Sequence, residues 1–425
     1  MQDYRPRILD KIIERRLRNK GAILVEGAKW SGKTTTCERH AASVLYLNDP
    51  ANVVRNLQMA DINPAALLRG AAPRLIDEWQ LAPKLWDAVR FEVDRRGDFG
   101  QFLLTGSAVP GETDAIRHTG TGRFAWLRMR PMSLWESGES NGAVSLAALF
   151  SEERSVDLYA ECALSLEDVA WLLCRGGWPQ VTRLEGDDAL VQAFDYLDAV
   201  VRADISRVDG VRRSEERARL IMKSYARLQG SSAPCSTIVD DVKAHGVELG
   251  VDTVKSYVEA LRKIFVVEDC SAWNPNLRSK TAIRTSDTRY FVDPSVATAA
   301  LGVGPGALLD DLETFGLFFE TLCMRDLRAY AEALDGRVYH FRTKDGLESD
   351  GVVCLRDGRY GLLEFKLGGD RLIEEGAQNL KKVAEKLDVT KMKNPSFMAV
   401  VAATAPFAYK RPDDVFVLPV GTLRD

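Results

Sequence analysis

The chain has 425 residues, too many for one hydrophobic core, so roughly two to four domains are expected. Hydrophobic residues make up 46% and charged residues 28%, a globular composition, and the net charge of −4 gives no overall pull toward nucleic acid or acidic lipid. Apolar runs are far shorter than a membrane span and Met1-Gln2-Asp3-Tyr4-Arg5-Pro6 lacks the apolar core of a signal peptide, so a cytoplasmic chain with no membrane partner is expected.

The first periodic stretch, from Arg5 to Lys20, has Ile8, Leu9, Ile12, Ile13 and Leu17 at helical spacing. Its opposite face is basic (Arg7, Lys11, Arg15, Arg16, Arg18, Lys20) and reads as a solvated face. The apolar run Ile23-Leu24-Val25-Glu26 reads as a buried parallel strand. It runs into Gly27-Ala28-Lys29-Trp30-Ser31-Gly32-Lys33-Thr34, which fits G-x-x-x-x-G-K-T, and a helix is expected from Lys33 to Ala42. The glycines let successive backbone N–H groups turn toward the phosphates of a nucleotide, and the helix N-terminus adds its positive end. The expected ATP-binding set is Gly27 to Thr34 with Thr35 and Ser107; Lys33 would reach the β- and γ-phosphates and Thr34 would hold Mg²⁺.

A second strand, Val44 to Leu47, precedes Leu75-Ile76-Asp77-Glu78-Trp79-Gln80. An apolar strand ending in Asp-Glu, about 40 residues after such a loop, supplies Asp77 to reach Mg²⁺ and Glu78 to polarise the attacking water. Leu85 to Arg96 reads as a helix, and Gln101 to Leu104 as a strand running into Thr105-Gly106-Ser107. Thr105 or Ser107 is a candidate polar sensor of the γ-phosphate, the plain alternative being a turn residue. Alternating strands and helices imply a mainly parallel sheet with the nucleotide at the carboxyl ends of its strands. Arg123 is the candidate arginine sensor of the γ-phosphate, in cis or in trans; Arg117 and Arg90 compete with it, and a surface arginine is the alternative.

Five features now stand in order: the Gly27–Thr34 loop, Asp77-Glu78-Trp79-Gln80, Leu103-Leu104-Thr105-Gly106-Ser107, Gly122-Arg123 and Pro131-x-Ser133-Leu134-x-Glu136. Together they resemble the prokaryotic AAA-type ATPases that carry a DUF4143 C-terminal region of restriction-endonuclease-like type. In that family the loop often has Arg where this chain has Lys29. Downstream, Gly176-Gly177-Trp178-Pro179 is similar to the family's Gly-Gly-aromatic-Pro segment, and Arg202-Ala203-Asp204-Ile205 to its Arg-x-Asp-Ile helix. Asp204 and Arg202 read as structural or interface residues.

Residues 211–300 fit a winged helix. Helices are expected over Ile221–Leu228, Cys235–His245 and Thr253–Lys263, with wing strands Phe265–Glu268 and Tyr290–Asp293. Arg278, Lys280, Arg284 and Arg289 between those strands offer a basic wing for DNA phosphates; protein contact is the alternative. In the last segment, Glu320 lies on a helix, Asp350 on a strand, and Glu364-Phe365-Lys366 on the next strand, followed by a helix holding Gln378. An Asp on one strand and Glu-x-Lys on the next is the PD-(D/E)xK nuclease constellation. Asp350, Glu364 and Glu320 would share divalent metal, and Lys366 would orient or deprotonate water; strand alternation puts Glu364 and Lys366 on one face. The leading Pro is replaced by Ser349.

The expected architecture is α/β: a P-loop NTPase core over residues 1–143, a helical connector over 144–210, a winged helix over 211–300 and a PD-(D/E)xK-like α/β domain over 301–425. The expected function is an ATP-hydrolysing, DNA-directed enzyme whose nuclease-like site is gated by ATP, with mobile-element or phage defence as the setting considered. The alternative is an ATP-switched interaction module whose C-terminal domain does not cut. Oligomeric state is not legible in the sequence.

Overall fold

The computed structural model describes residues 4–108, 120–151, 159–274, 286–343, 346–387 and 393–425. The chain forms two compact units: one comprises Met1–Pro131, Arg202–Arg213 and Glu259–Val266, the other Met132–Val201, Ser214–Val258 and Val267–Asp425.

The first unit is built on five parallel strands, β1 (Ala22–Glu26), β2 (Ser43–Tyr46), β3 (Arg74–Asp77), β4 (Phe102–Gly106) and β5 (Phe124–Arg128). Their order is β2-β3-β4-β1-β5. β1 lies in the middle of the change of direction, with Ile23 opposite Leu103 on one side and Ala125 on the other. Its side chains from Ala22 to Val25 are buried, which is why the run is apolar without alternation. The connection leaving β1 therefore emerges at the switch point of the sheet, where open α/β sheets bind ligands. Helix α1 (Ile8–Leu17) precedes the sheet, α2 (Lys33–His40) follows β1, and α3 (Lys84–Arg96) covers one face. That face is filled by Leu24, Ile76, Leu104, Trp79, Trp86 and Phe124, with Trp86 and Phe124 stacked at 4.0 Å.

The longer helices of the second unit are α4 (Leu166–Arg175), α5 (Gly186–Ala199), α6 (Glu215–Arg227), α7 (Cys235–Ala244), α8 (Val251–Lys263, ending in the first unit), α9 (Pro294–Leu301) and α10 (Leu312–Ala333). Within 211–300, the three expected helices correspond to α6, α7 and α8. The expected wing strands reduce, among the described residues, to single antiparallel bridges, Val267 with Phe291 and Cys270 with Thr288. The basic residues Arg278, Lys280 and Arg284 lie outside the described residues. Arg289 is buried, donating Nε to the Ala233 carbonyl at 2.9 Å, so it is not a free wing charge.

A six-stranded sheet completes this unit: β6 (Arg337–Arg342), β7 (Glu348–Cys354), β8 (Tyr360–Gly368), β9 (Phe397–Thr404), β10 (Tyr409–Lys410) and β11 (Val415–Pro419), in the order β10-β11-β9-β8-β7-β6. β6, β7 and β8 form an antiparallel meander; β8, β9 and β11 are parallel. Helix α11 (Asp370–Lys386) is the crossover that the parallel β8–β9 pair requires. Its Ile373, Ala377, Leu380 and Val383 bury against Leu362, Val400 and Val417.

The Gly176-Gly177-Trp178 segment has a packing reason. Gly176 has φ +75°, and a Cβ there would stand 2.5 Å from Asp293 Oδ1; one on Gly177 would stand 2.1 Å from the Met132 carbonyl. Such close approach lets Gly177 N donate to Asp293 Oδ2 at 3.0 Å. Asp293 also receives Arg325 Nη1 at 2.9 Å, while Arg325 Nε bonds Asp326 Oδ1 at 2.8 Å and Asp326 Oδ2 accepts Leu134 N at 3.0 Å. Arg325, Asp293 and Asp326 are all buried. Burial pushes the Asp326 carboxyl up to about 6, with Arg325 opposing the shift.

Candidate nucleotide site and a second acidic site

The Gly27–Thr34 loop is shaped by its two glycines. Gly27 has φ +154° and its Cα lies so close to β5 that a Cβ would meet the Met129 carbonyl oxygen at 2.0 Å. Gly32, with φ +94°, starts α2 in a conformation that side chains avoid. Ser31 Oγ donates to the Ala28 carbonyl at 2.8 Å and tightens the crown; Trp30, with φ +67°, projects outward and is exposed. Lys33 is buried, its Nζ donating to the carbonyls of Gly27 at 2.9 Å and Ala28 at 2.8 Å. Burial pulls the Lys33 ammonium down to about 8, although Glu78 and Asp77 act to raise it. Thr35 is exposed on the first turn of α2.

β3 delivers both carboxylates to this loop. Asp77, buried at the end of β3, accepts Thr34 Oγ1 at 2.7 Å and Thr105 Oγ1 at 2.6 Å. Thr105 also accepts Glu78 N at 3.2 Å, so one hydroxyl at the end of β4 ties both acidic residues together. Glu78 itself is left-handed at φ +57°, an uncommon conformation for a non-glycine residue and one that recurs at functional sites. Its carboxylate accepts Ser107 Oγ at 3.0 Å and the Gln80 amide. The Thr34 hydroxyl and Asp77 carboxylate are hard oxygen donors in contact, a pair that suits Mg²⁺.

In the second unit, β7, β8 and α11 bring another charged group together. Lys366 Nζ lies 2.8 Å from Glu364 Oε2 and 3.8 Å from Asp350 Oδ2. Phe365 N donates to Asp350 Oδ2 at 2.8 Å, fixing that carboxylate to β8. Asn379 on α11 donates to Glu364 Oε1 at 2.8 Å and to the Glu348 carbonyl at 2.6 Å. Helical phase thus turns Asn379 into the site, while Gln378, next to it on α11, is on the exposed side, bonded to Glu374 at 2.7 Å. Glu320, on α10, accepts Tyr290 Oη at 3.4 Å and is close enough to Asp350, Lys366 and Glu364 to feel their charges. Burial pushes Glu364 up to about 8 and raises Asp350 and Glu320; Lys366 opposes each shift. Burial pulls Lys366 down, but the Asp350 and Glu364 carboxylates outweigh it and hold the ammonium well above its ordinary value. Among the described residues, no three Asp, Glu, His or Cys side chains stand close enough together to hold a metal ion by themselves.

These sites coincide with matches to known families. Residues 19–137 match the model of an AAA domain, and residues 315–423 that of a domain of unknown function, DUF4143. The chain carries an AAA domain and a DUF4143 region. Between them, residues 166–307 match a second domain of unknown function, DUF8612. Uncharacterized proteins of Mycobacterium tuberculosis (Rv2008c) and Mycobacterium bovis (Mb2031c) are each 24% identical over 352 residues, spanning 82% of this chain and 71% of theirs. Among solved structures, the chain is similar to the Walker-type ATPase PABY2304 of Pyrococcus abyssi (14% identity, 70% of this chain, 99% of that one, TM-score 0.41). It is also similar to a single-substitution variant of RuvB from Thermotoga maritima (15% identity, 61% of this chain, 88% of that one, TM-score 0.28).

Within the AAA domain, the expected arginine is not brought to the loop. Arg123 immediately precedes β5, whose Phe124 pairs with Ala22 at the start of β1, whereas the loop follows Glu26 at its end. The two are separated along the strands by roughly 20 Å. Arg123 instead binds Asp94 at 2.8 Å. Arg90 also pairs with Asp94, at 3.4 Å, and Arg117 lies outside the described residues. The arginine at the loop end of β5 is Arg128, which pairs with Glu26 at 2.7 Å.

Two residues at the loop have roles that spacing along the chain does not show. Arg7, expected on a solvated basic face, is buried; it donates to the Ser31 carbonyl at 2.8 Å and the Arg130 carbonyl at 2.7 Å. Asp204, expected as a structural or interface residue, pairs with Lys29 of the loop itself. Neither contact has a signal in local spacing, because each joins segments distant in sequence. The Arg-x-Asp-Ile resemblance is the one pointer to Asp204.

Proposed function

We propose that the AAA domain binds ATP with Mg²⁺ and hydrolyses it. The observation that carries this reading is the contact of Thr34 with Asp77 at 2.7 Å, with Glu78 next in the chain and hydrogen-bonded to Ser107. The loop N–H groups cradle the phosphates, and Lys33 turns from the Gly27 and Ala28 carbonyls to neutralise them. A phosphate anion beside the lysine strengthens its hold on the proton. Thr34 and Asp77 would hold Mg²⁺, which when bound neutralises charge on the β- and γ-phosphate oxygens. Glu78 takes a proton from, or orients, the attacking water; Ser107 and Gln80 fix its carboxylate. The purified chain should turn over ATP with Mg²⁺, and Lys33→Ala should lower turnover by about 100-fold or more. Unchanged turnover in that variant would remove the loop assignment.

A second reading concerns the DUF4143 region as a restriction-endonuclease-like, metal-dependent DNA nuclease gated by ATP. It rests on the β6–β7–β8–α11–β9 order and on Asp350, Glu364 and Lys366 meeting across two adjacent strands. Two carboxylates suffice for a cation that completes its shell with water and substrate phosphate. Residues 211–300 would supply a winged helix for the DNA. Defence against mobile elements or phage is a setting in which ATP-gated cleavage makes sense. An ATP-switched interaction module is the competing outcome.

A further inference from the structure

Lys29 stands on the phosphate loop two residues after Gly27, and it is the second lysine there. Its ammonium and that of Lys33 have different partners: Lys33 Nζ bonds the Gly27 and Ala28 carbonyls, and Lys29 Nζ bonds Asp204. Lys33 is buried against loop carbonyls, whereas the Lys29 side chain is 49% exposed and bonds Asp204 at 2.5 Å across 175 residues of sequence. Asp204 is itself buried.

Asp204 comes from an unusual piece of backbone. Residues Val200–Asp204 form a π-helical turn between α5 and the short helix Ile205–Arg207. Such turns are rare and often mark functional positions. The segment from Ile205 to Arg213 is tied together by its own hydrogen bonds. Arg213 donates to the Ile205 carbonyl at 2.7 Å and to Asp209 at 2.7 and 2.8 Å, and its backbone N donates to Ser206 Oγ at 3.0 Å. The segment that follows Asp204 is therefore internally braced.

We propose that Asp204 is a positioning residue that acts through Lys29: it holds the Lys29 ammonium until a nucleotide's γ-phosphate competes for it. The inference rests on the reading that the Gly27–Thr34 loop binds ATP. A γ-phosphate carries more negative charge than one carboxylate, and a lysine on a four-carbon stem can change partner without moving the backbone. ADP has no such group and leaves the pair intact. The γ-phosphate and Asp204 are thus linked competitors for one cation, so each weakens the other's hold by the same factor. The Val200–Asp204 turn then reports whether the loop holds a triphosphate or a diphosphate.

The test is equilibrium binding of ATPγS and ADP to the full chain and its variants. Asp204→Asn should tighten ATPγS by ~5-fold or more while changing ADP by less than about twofold. Asp204→Glu should keep the wild-type ratio of the two affinities, and Lys29→Ala should reduce the preference for ATPγS. Hydrogen exchange on the wild type, which needs no variant to fold, should show the Ile205–Arg213 amides losing protection with ATPγS but not with ADP. An Asp204→Asn chain with an unchanged ATPγS-to-ADP ratio, or equal protection with both nucleotides, overturns the proposal while the loop assignment stands. A wild type that binds neither nucleotide, like a Lys33→Ala control, overturns both.

Discussion

Thr105 Oγ1 bonds Asp77 Oδ1 at 2.6 Å and the backbone N–H of Glu78 at 3.2 Å. A single hydroxyl at the end of β4 thereby holds the side chain of one acidic residue and the main chain of the next. With Thr34 on the other side of Asp77, this makes the loop and the acidic strand end one hydrogen-bonded assembly. The arrangement explains why a left-handed Glu78 is tolerated: its N–H and carboxylate both have fixed partners.

Glu78→Gln should separate binding from hydrolysis. The amide keeps the size of the side chain and loses the base, so ATP affinity should stay within about twofold and turnover should fall by ~10²–10⁴-fold. Single-turnover kinetics with saturating ATP would read this directly, and wild-type turnover would exclude Glu78 as the group acting on water.

Gly27→Ala places a methyl group 2.0 Å from the Met129 carbonyl oxygen at a φ that side chains rarely adopt. Backbone must move, at a cost of about 1–3 kcal/mol. Urea unfolding should show that loss, and nucleotide affinity should fall with it because the same shift opens the loop. A variant as stable as the wild type would contradict the close approach of the loop to β5.

Asp326 predicts a pH effect. Its folded-state value, about 6, lies above the ordinary 3.8, because burial outweighs Arg325. The native chain therefore binds more protons than the unfolded chain between about pH 4 and pH 6, and this contribution is lost as pH rises through that window. The difference between wild type and Asp326→Asn should change by up to about 3 kcal/mol across it. Chemical denaturation at several pH values checks the slope; parallel profiles would mean that Asp326 titrates normally.

The proposed nuclease reading of the DUF4143 region predicts cleavage. With Mg²⁺ or Mn²⁺ the chain should nick supercoiled DNA in the presence of ATP, and Lys366→Ala should reduce nicking by about 100-fold or more. Absence of cleavage across duplex DNA, single strands and RNA, with ATP binding intact, would favour the interaction module.

Much of the geometry of the Gly27–Thr34 loop and the β3 end was legible in sequence because it is local. The apolar run of β1, the glycines at fixed offsets and the Asp-Glu at a strand end are set by backbone geometry over a few residues each. Strand alternation likewise put Glu364 and Lys366 on one face. The three helices within 211–300 followed from apolar periodicity, but the wing strands did not form as strands, since only two bridging pairs join there among the described residues.

Tertiary structure decided the rest, through strand register and helical phase. Register placed Arg123 at the far edge of β5 from the loop and Arg128 at the near one. Phase turned Asn379 rather than Gln378 toward Glu364. Long-range packing buried Arg7 beneath the loop and set Asp204 against Lys29. Spacing along a chain specifies which residues share a face; only the folded chain specifies what that face meets.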